Sequence, residues 1–154
     1  MAITASGLFG LTFEKFQNAT SFPASGLESE TATKVALILD TATPAFDTMD
    51  FWNDLEGNEV PATGNYTAQG NVLTATEITL TSGTLMYDAA DASWPTSTIS
   101  NAMAAVGMFD RGGATTADEL VFLSDFVTAA SSSGGTFSIQ WNASGSFTVD
   151  YTPP

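Results

Sequence analysis

Apolar positions recur along this chain with two different periods. Near the start, Phe9, Phe13 and Phe16 fall at i, i+4 and i+7 beside Ile3, Leu8 and Leu11. That is the spacing of one helical face, and it predicts a short helix from about Leu8 to Asn18. A loop punctuated by Pro23 and Gly26 follows, over Ser21 to Thr31. The run Lys34-Val-Ala-Leu-Ile-Leu-Asp40 then predicts a strand, and because it is apolar throughout, a central one with both faces buried. A long acidic connection, Thr41 to Thr63, is expected to hold one helical turn at Asp50 to Leu55. Phe46, Phe51 and Trp52 would pin it to the core.

From Tyr66 the pattern is β. Strands are expected at Val72 to Thr76 and Ile78 to Thr81, as one or two, with Thr84 to Asp88 returning after a Ser82-Gly83 turn. Asp88 to Ser97 reads as a loop around Trp94-Pro95. Ile99 to Phe109 and Glu119 to Thr128 read as further strands. In the closing segment Phe137, Ile139 and Trp141, then Phe147, Val149 and Tyr151, alternate with polar residues. This period of two across an Asn142 to Gly145 turn predicts a hairpin with one face on the core. About eight short strands between turns imply a mainly β, all-β fold: a single-domain β-sandwich, jelly-roll-like, over residues 21–154, with residues 1–20 as an apolar arm or short helix.

Composition narrows the function classes. The chain of 154 residues has no His, no Cys and three basic side chains, Lys15, Lys34 and Arg111, against 17 acids, for a net charge of −14. General acid–base, thiol and cationic-clamp chemistry draw on the side chains it lacks, so no enzyme activity, catalytic residue or cofactor is expected. The charge argues against nucleic acid and against anionic membrane surfaces. No basic stretch precedes an apolar run as in a signal peptide, and no apolar stretch has transmembrane length, so a soluble protein made in the cytoplasm is expected. Hydrophobic residues make up 44% and charged residues 13%; a surface so poor in charge suggests that much of it faces other protein.

Individual candidates are each weighed against a plainer role. Asp47, Asp50, Asp54, Glu56 and Glu59 are close enough to suggest Ca²⁺, but their spacing is not that of an EF-hand loop, and a solvated acidic loop is the favoured reading, with no metal expected. Asp88 and Asp91 are read as turn residues. Trp52, Trp94 and Trp141 are the candidates for a sugar-binding platform; Trp141 reads as core, and Trp94 is the best placed for surface contact, although a buried loop anchor is its favoured reading. Asn18-Ala-Thr20, Asn65-Tyr-Thr67 and Asn142-Ala-Ser144 are chance matches to a glycosylation acceptor. The opening segment is either a cap on the core or an arm for a neighbouring subunit, its contact residues being Ile3, Leu8, Phe9, Leu11, Phe13 and Phe16.

The order of these segments resembles a known family. Residues 1–16, Lys34-Val-Ala-Leu-Ile-Leu-Asp40 with Thr43-Pro-Ala-Phe-Asp47, Phe51-Trp-Asn-Asp54, Trp94-Pro-Thr-Ser-Thr98 and Gly134-Gly-Thr-Phe-Ser-Ile-Gln-Trp141 look like small virion proteins of tailed phages, among them capsid decoration (cement) proteins. The resemblance implies a β-sandwich bound to the outside of the capsid, bridging copies of the major capsid protein and stabilising the head. It implies homo-oligomers and no catalytic residues. Tail or baseplate structural proteins and surface carbohydrate-binding modules are the alternatives. On the arm reading, residues 1–16 would be dispensable for folding and required for attachment.

Overall fold

The apolar run beginning at Lys34 becomes a strand with both faces covered, and the fold is layered around it. The computed structural model describes residues 3–18 and 26–151. Its strands are β1 (Gly7–Leu8), β2 (Thr33–Leu39), β3 (Asn71–Val72), β4 (Glu77–Thr81), β5 (Thr84–Asp88), β6 (Ala92–Ser97), β7 (Ala102–Phe109), β8 (Glu119–Ala130), β9 (Gly135–Ile139) and β10 (Phe147–Asp150). Helix α1 (Gly10–Gln17) lies between β1 and β2, and 3-10 turns occur at Gly26–Glu28, Trp52–Asp54 and Glu56–Asn58. The chain is mainly β, as expected. The antiparallel sheets run β1-β8-β7-β2-β3, β10-β5-β4 and β6-β9. This is a division into five, three and two strands, where a jelly roll divides eight between two sheets.

Alternation on β2 explains the layers. Val35 and Leu37 point to one face of the large sheet and Ala36 and Ile38 to the other, and all four are fully buried. The first face packs against the two small sheets through Tyr87, Trp94, Phe137 and Ile139, with Tyr66 among them. The second is covered by Trp52 and Leu55 from the acidic connection and by Ile3 and Phe9 from the N-terminal segment. The central position belongs to β7, buried at every residue, rather than to β2. The outer edge of β2 is closed by β3 at Lys34 and Val35. Further along, the Val60 N–H donates to Leu37 O (3.0 Å) and the Leu37 N–H to the Tyr66 hydroxyl (2.9 Å). Gly70 makes this close cover possible: its φ is +67°, and a Cβ there would lie 1.9 Å from Val35 O.

The N-terminal segment is part of the same body. Gly7 and Leu8 pair with Leu123 and Phe122 of β8. The Phe9 N–H then donates to Val121 O (3.0 Å) and the Thr12 hydroxyl to Leu120 O (2.5 Å), so α1 continues along the edge that β1 begins. Phe9 is extended (φ −81°, ψ 109°) and precedes the helix, which starts at Gly10 rather than Leu8. Its ring therefore enters the second layer while Phe13 and Phe16 pack on the first.

Further expectations fail. Of the expected strand Val72 to Thr76 only Val72 lies in a strand, β3. Residues 92–97 form β6 instead of a loop; Pro95 is tolerated because β6 is an edge strand with an irregularity between Trp94 and Ser97. The closing segments do not form a hairpin together, since β9 pairs with β6 and β10 with β5. The Asn142–Gly145 turn forms, with Gly145 N–H on Asn142 O at 2.8 Å. Ahead of it, however, the Trp141 N–H is tied to Asp91 Oδ1 (3.0 Å) and its indole N–H to Ala90 O (3.2 Å), beside β6. The expected loop at residues 21–25 and the chain end at 152–154 lie outside the described residues. No helix among the described residues is long and apolar enough to cross a membrane.

Candidate interaction surface

Three of the expected contact residues turn inward. Ile3, Phe9 and Trp94 are buried in the chain's own core. The Ile3 N–H is held by Asp40 Oδ1 (3.0 Å). Trp94 sits between Tyr66 and Phe137, with ring centroids at 5.4 and 6.1 Å. It therefore offers no surface for a partner or a sugar, and Trp52 is equally buried. Trp141, expected in the core, is half-buried with its ring edge-on to Phe122 at 5.8 Å. Leu8, Leu11, Phe13 and Phe16 are half-buried and keep some exposed area.

Phe13 and Phe16 are brought together with residues that were not expected at a contact surface. They line an apolar groove of about 230 Å³ with Leu27, Ile78, Leu85, Phe147 and Tyr151. The register of the small sheet explains it. Ile78 pairs with Tyr87, Leu80 with Leu85 and Val149 with Leu85, so one apolar face runs across the three strands. At the Tyr87 end that face is core; at the other end it overhangs, leaving Leu80 and Tyr151 each 67% exposed. The alternation of Ile78 with Leu80 was a readable signal, but nothing in it told which end of the strand would be covered.

The cations are all spent within the chain. Lys15 pairs with Asp50, Lys34 with Asp110 and Arg111 with Glu119. The Arg111–Glu119 pair is bidentate at 2.9 and 2.7 Å, and its hydrogen bonds hold the guanidinium above its ordinary pKa. Burial pushes the Asp110 carboxyl up, but the bond from Lys34 and the Gly112 N–H outweigh it and hold it below its ordinary range. No basic side chain is left to balance the remaining carboxylates, so the exterior is a negative field.

The acidic loop disperses its carboxylates. Asp47 is exposed, Asp50 takes Lys15, and Asp54 accepts the N–H groups of Asp50 and Phe51 at the start of a 3-10 turn. Glu59 turns inward, where Oε1 accepts the Tyr66 hydroxyl (2.8 Å) and the Gln69 N–H (2.6 Å). Burial pushes Glu59 above its ordinary range against these two bonds, and burial with the nearby Glu59 charge pushes Tyr66 upward. Gln69 continues to Asp118, whose other oxygen accepts the Arg111 N–H (2.8 Å). Burial also raises Asp118. The network ties together the loops that hold Glu59, Gln69 and Asp118. Among the described residues no three Asp or Glu side chains converge as a metal site.

Comparison with known proteins finds no family model, no curated protein and no solved structure that matches the chain.

Proposed function

We propose that this chain is a virion structural protein, a capsid decoration protein that binds the outside of a phage head and bridges copies of the major capsid protein. The observation that carries the protein-binding part is the apolar groove beside α1, set in an exterior whose cations are all consumed by internal ion pairs. Such a surface repels phosphate backbones and anionic lipid, and it offers an unfilled apolar face to another protein. The assignment to a phage head rests on the resemblance of the segment order to cement proteins. Many copies on a symmetric shell would turn a modest contact into stable attachment.

A density map of the particle that encodes the chain tests this directly. Purified protein added to heads lacking it is expected to bind at a fixed number per capsomer. Binding to isolated tails and not to heads would overturn the assignment in favour of a tail protein.

A further inference from the structure

A slot of about 270 Å³ opens where the five-stranded and three-stranded sheets meet. Ser6 and Leu8 line one side, Ser146 and Thr148 the other, with Phe122 and Phe147 between them. Both walls belong to edge strands, β1 and β10. The Phe9 N–H bonds to Val121, so Phe9 and Gly7 turn their backbone groups to β8 and Leu8 turns its own away. On β10 the Tyr151 N–H bonds to Gly83 O, so Phe147, Val149 and Tyr151 face β5 and Thr148 faces away. The Ser146 hydroxyl is buried with no hydrogen-bond partner, a state that normally costs stability unless something arrives to satisfy it.

Two unpaired edges beside apolar rings provide what an added strand needs: backbone partners on both sides and a place for alternate side chains. We propose that this slot accepts an extended segment of a partner protein, which pairs with Leu8 on β1 and Thr148 on β10 and joins the two sheets. The segment carries Lys or Arg. The chain has a net charge of −14 and each of its three cations is paired internally, so a cationic segment is the complementary one. The net charge of −14 on every copy opposes a second copy as the occupant. This deepens the protein-binding reading and rests on it.

The test is backbone amide exchange in the full chain with a blocked Lys-Val-Thr-Val-Thr-Lys peptide, against a Glu-flanked counterpart. The cationic peptide is expected to slow exchange at the Leu8 and Thr148 amides by about tenfold or more, and the anionic one not to. Thr148→Pro removes one outward donor at a position where an edge strand tolerates proline; it is expected to keep a cooperative melt and lose the peptide. Absence of protection, equal protection by the Glu-flanked peptide, or undiminished binding by a folded Thr148→Pro chain overturns the proposal. So does protection that grows with protein concentration alone, which would assign the slot to a second copy. Peptide capture by a chain that never binds heads removes the decoration reading and keeps the slot; equal head binding by Thr148→Pro removes the slot and keeps the reading.

Discussion

The ring of Phe122 occupies the space above Gly107. An ideal Cβ on Gly107 would lie 2.0 Å from Phe122 Cε1, closer than any real contact. The two residues face each other across the β7–β8 register, and the ladder shifts immediately after them, between Gly107 and Met108. Phe122 then reaches the rings of Tyr87, Trp141 and Phe147 at 6.3, 5.8 and 5.6 Å. The missing side chain on the central strand thus lets one ring join the large sheet to the three-stranded one. Gly107→Ala is expected to lower stability by about 2–3 kcal/mol through overpacking. Adding Phe122→Leu should cost less than the sum of the single changes, a coupling of about 1 kcal/mol in a double-mutant cycle. A Gly107→Ala chain with an unchanged urea midpoint would contradict this packing.

Glu119 is the most deeply buried acid of the three ion pairs among the described residues, at 6% side-chain exposure against 28% for its partner Arg111. Removing the cation leaves an acid buried at the start of β8, next to Asp118. Arg111→Ala is expected to cost about 1–3 kcal/mol, below the range for a fully buried pair because Arg111 is partly solvated. Adding Glu119→Gln should recover part of the loss. Denaturant melts of the two single variants and the double variant check this, and strict additivity would show that the pair is not coupled.

Glu59 gives a pH signature with a definite sign. Its folded pKa is above the ordinary 4.5, burial being the main cause. Between the two values the folded chain holds more protons than the unfolded one, so this group makes stability fall as pH rises through that window. Asp110 acts oppositely: its folded pKa is below 3.8, so it adds stability above that pH which is lost on acidification. Subtracting the curve of Glu59→Gln from that of the parent isolates the first effect. Urea midpoints from about pH 4 to pH 8 should give a difference that declines with pH and then levels off. A flat or rising difference would place Glu59 in a solvated state.

Local pattern made much of this visible and pairing little of it. Thr84–Asp88 is a strand with the bounds expected of a segment returning after the Ser82-Gly83 turn, and the run at Lys34 is buried on both faces. Alternation tells which residues share a face, but not which strand lies alongside; the segments at Phe137 and Phe147 therefore read as partners although they lie in separate sheets. Trp94-Pro95 suggested a loop because proline is unusual in strands, and only the edge position of β6 reconciles it. The contact surface was legible only in part. Phe13 and Phe16 carried a helical signal, while Leu85 and Tyr151 reach the same groove through cross-strand register.

Val127 holds a conformation that β-branched residues avoid. Its φ is +64°, it is 81% exposed, and its N–H is held by Asp125 Oδ1 at 2.8 Å within an irregular stretch of β8. The left-handed region costs an ordinary residue roughly 1–2 kcal/mol, and Asn bears it better. Val127→Asn is expected to raise stability by about 0.5–1 kcal/mol, since the exposed side chain contributes little packing. A thermal midpoint that does not rise would mean that the Val127 side chain makes a compensating contact.

The N-terminal segment decides between two roles for the same apolar residues. As an arm for a neighbouring subunit it could be removed without harm to the β body. Here, however, Phe9 is fully buried against Phe46, with ring centroids 5.2 Å apart, and Thr12, also buried, closes on Leu120. Without β1 and α1, the β8 edge would lose the Phe9 N–H and the Thr12 hydroxyl that now satisfy the Val121 and Leu120 carbonyls, and the second layer would lose Ile3 and Phe9 together. Truncation of a single buried Phe to Ala costs about 3–5 kcal/mol, a large share of the 5–15 kcal/mol that holds a typical domain together. A chain beginning at Asn18 is therefore expected to lose its cooperative melt and its aromatic near-ultraviolet circular dichroism, while Phe16→Ser, at the half-buried groove, should keep both and weaken attachment to heads. A shortened chain that melts cooperatively near the parent midpoint would restore the detachable arm.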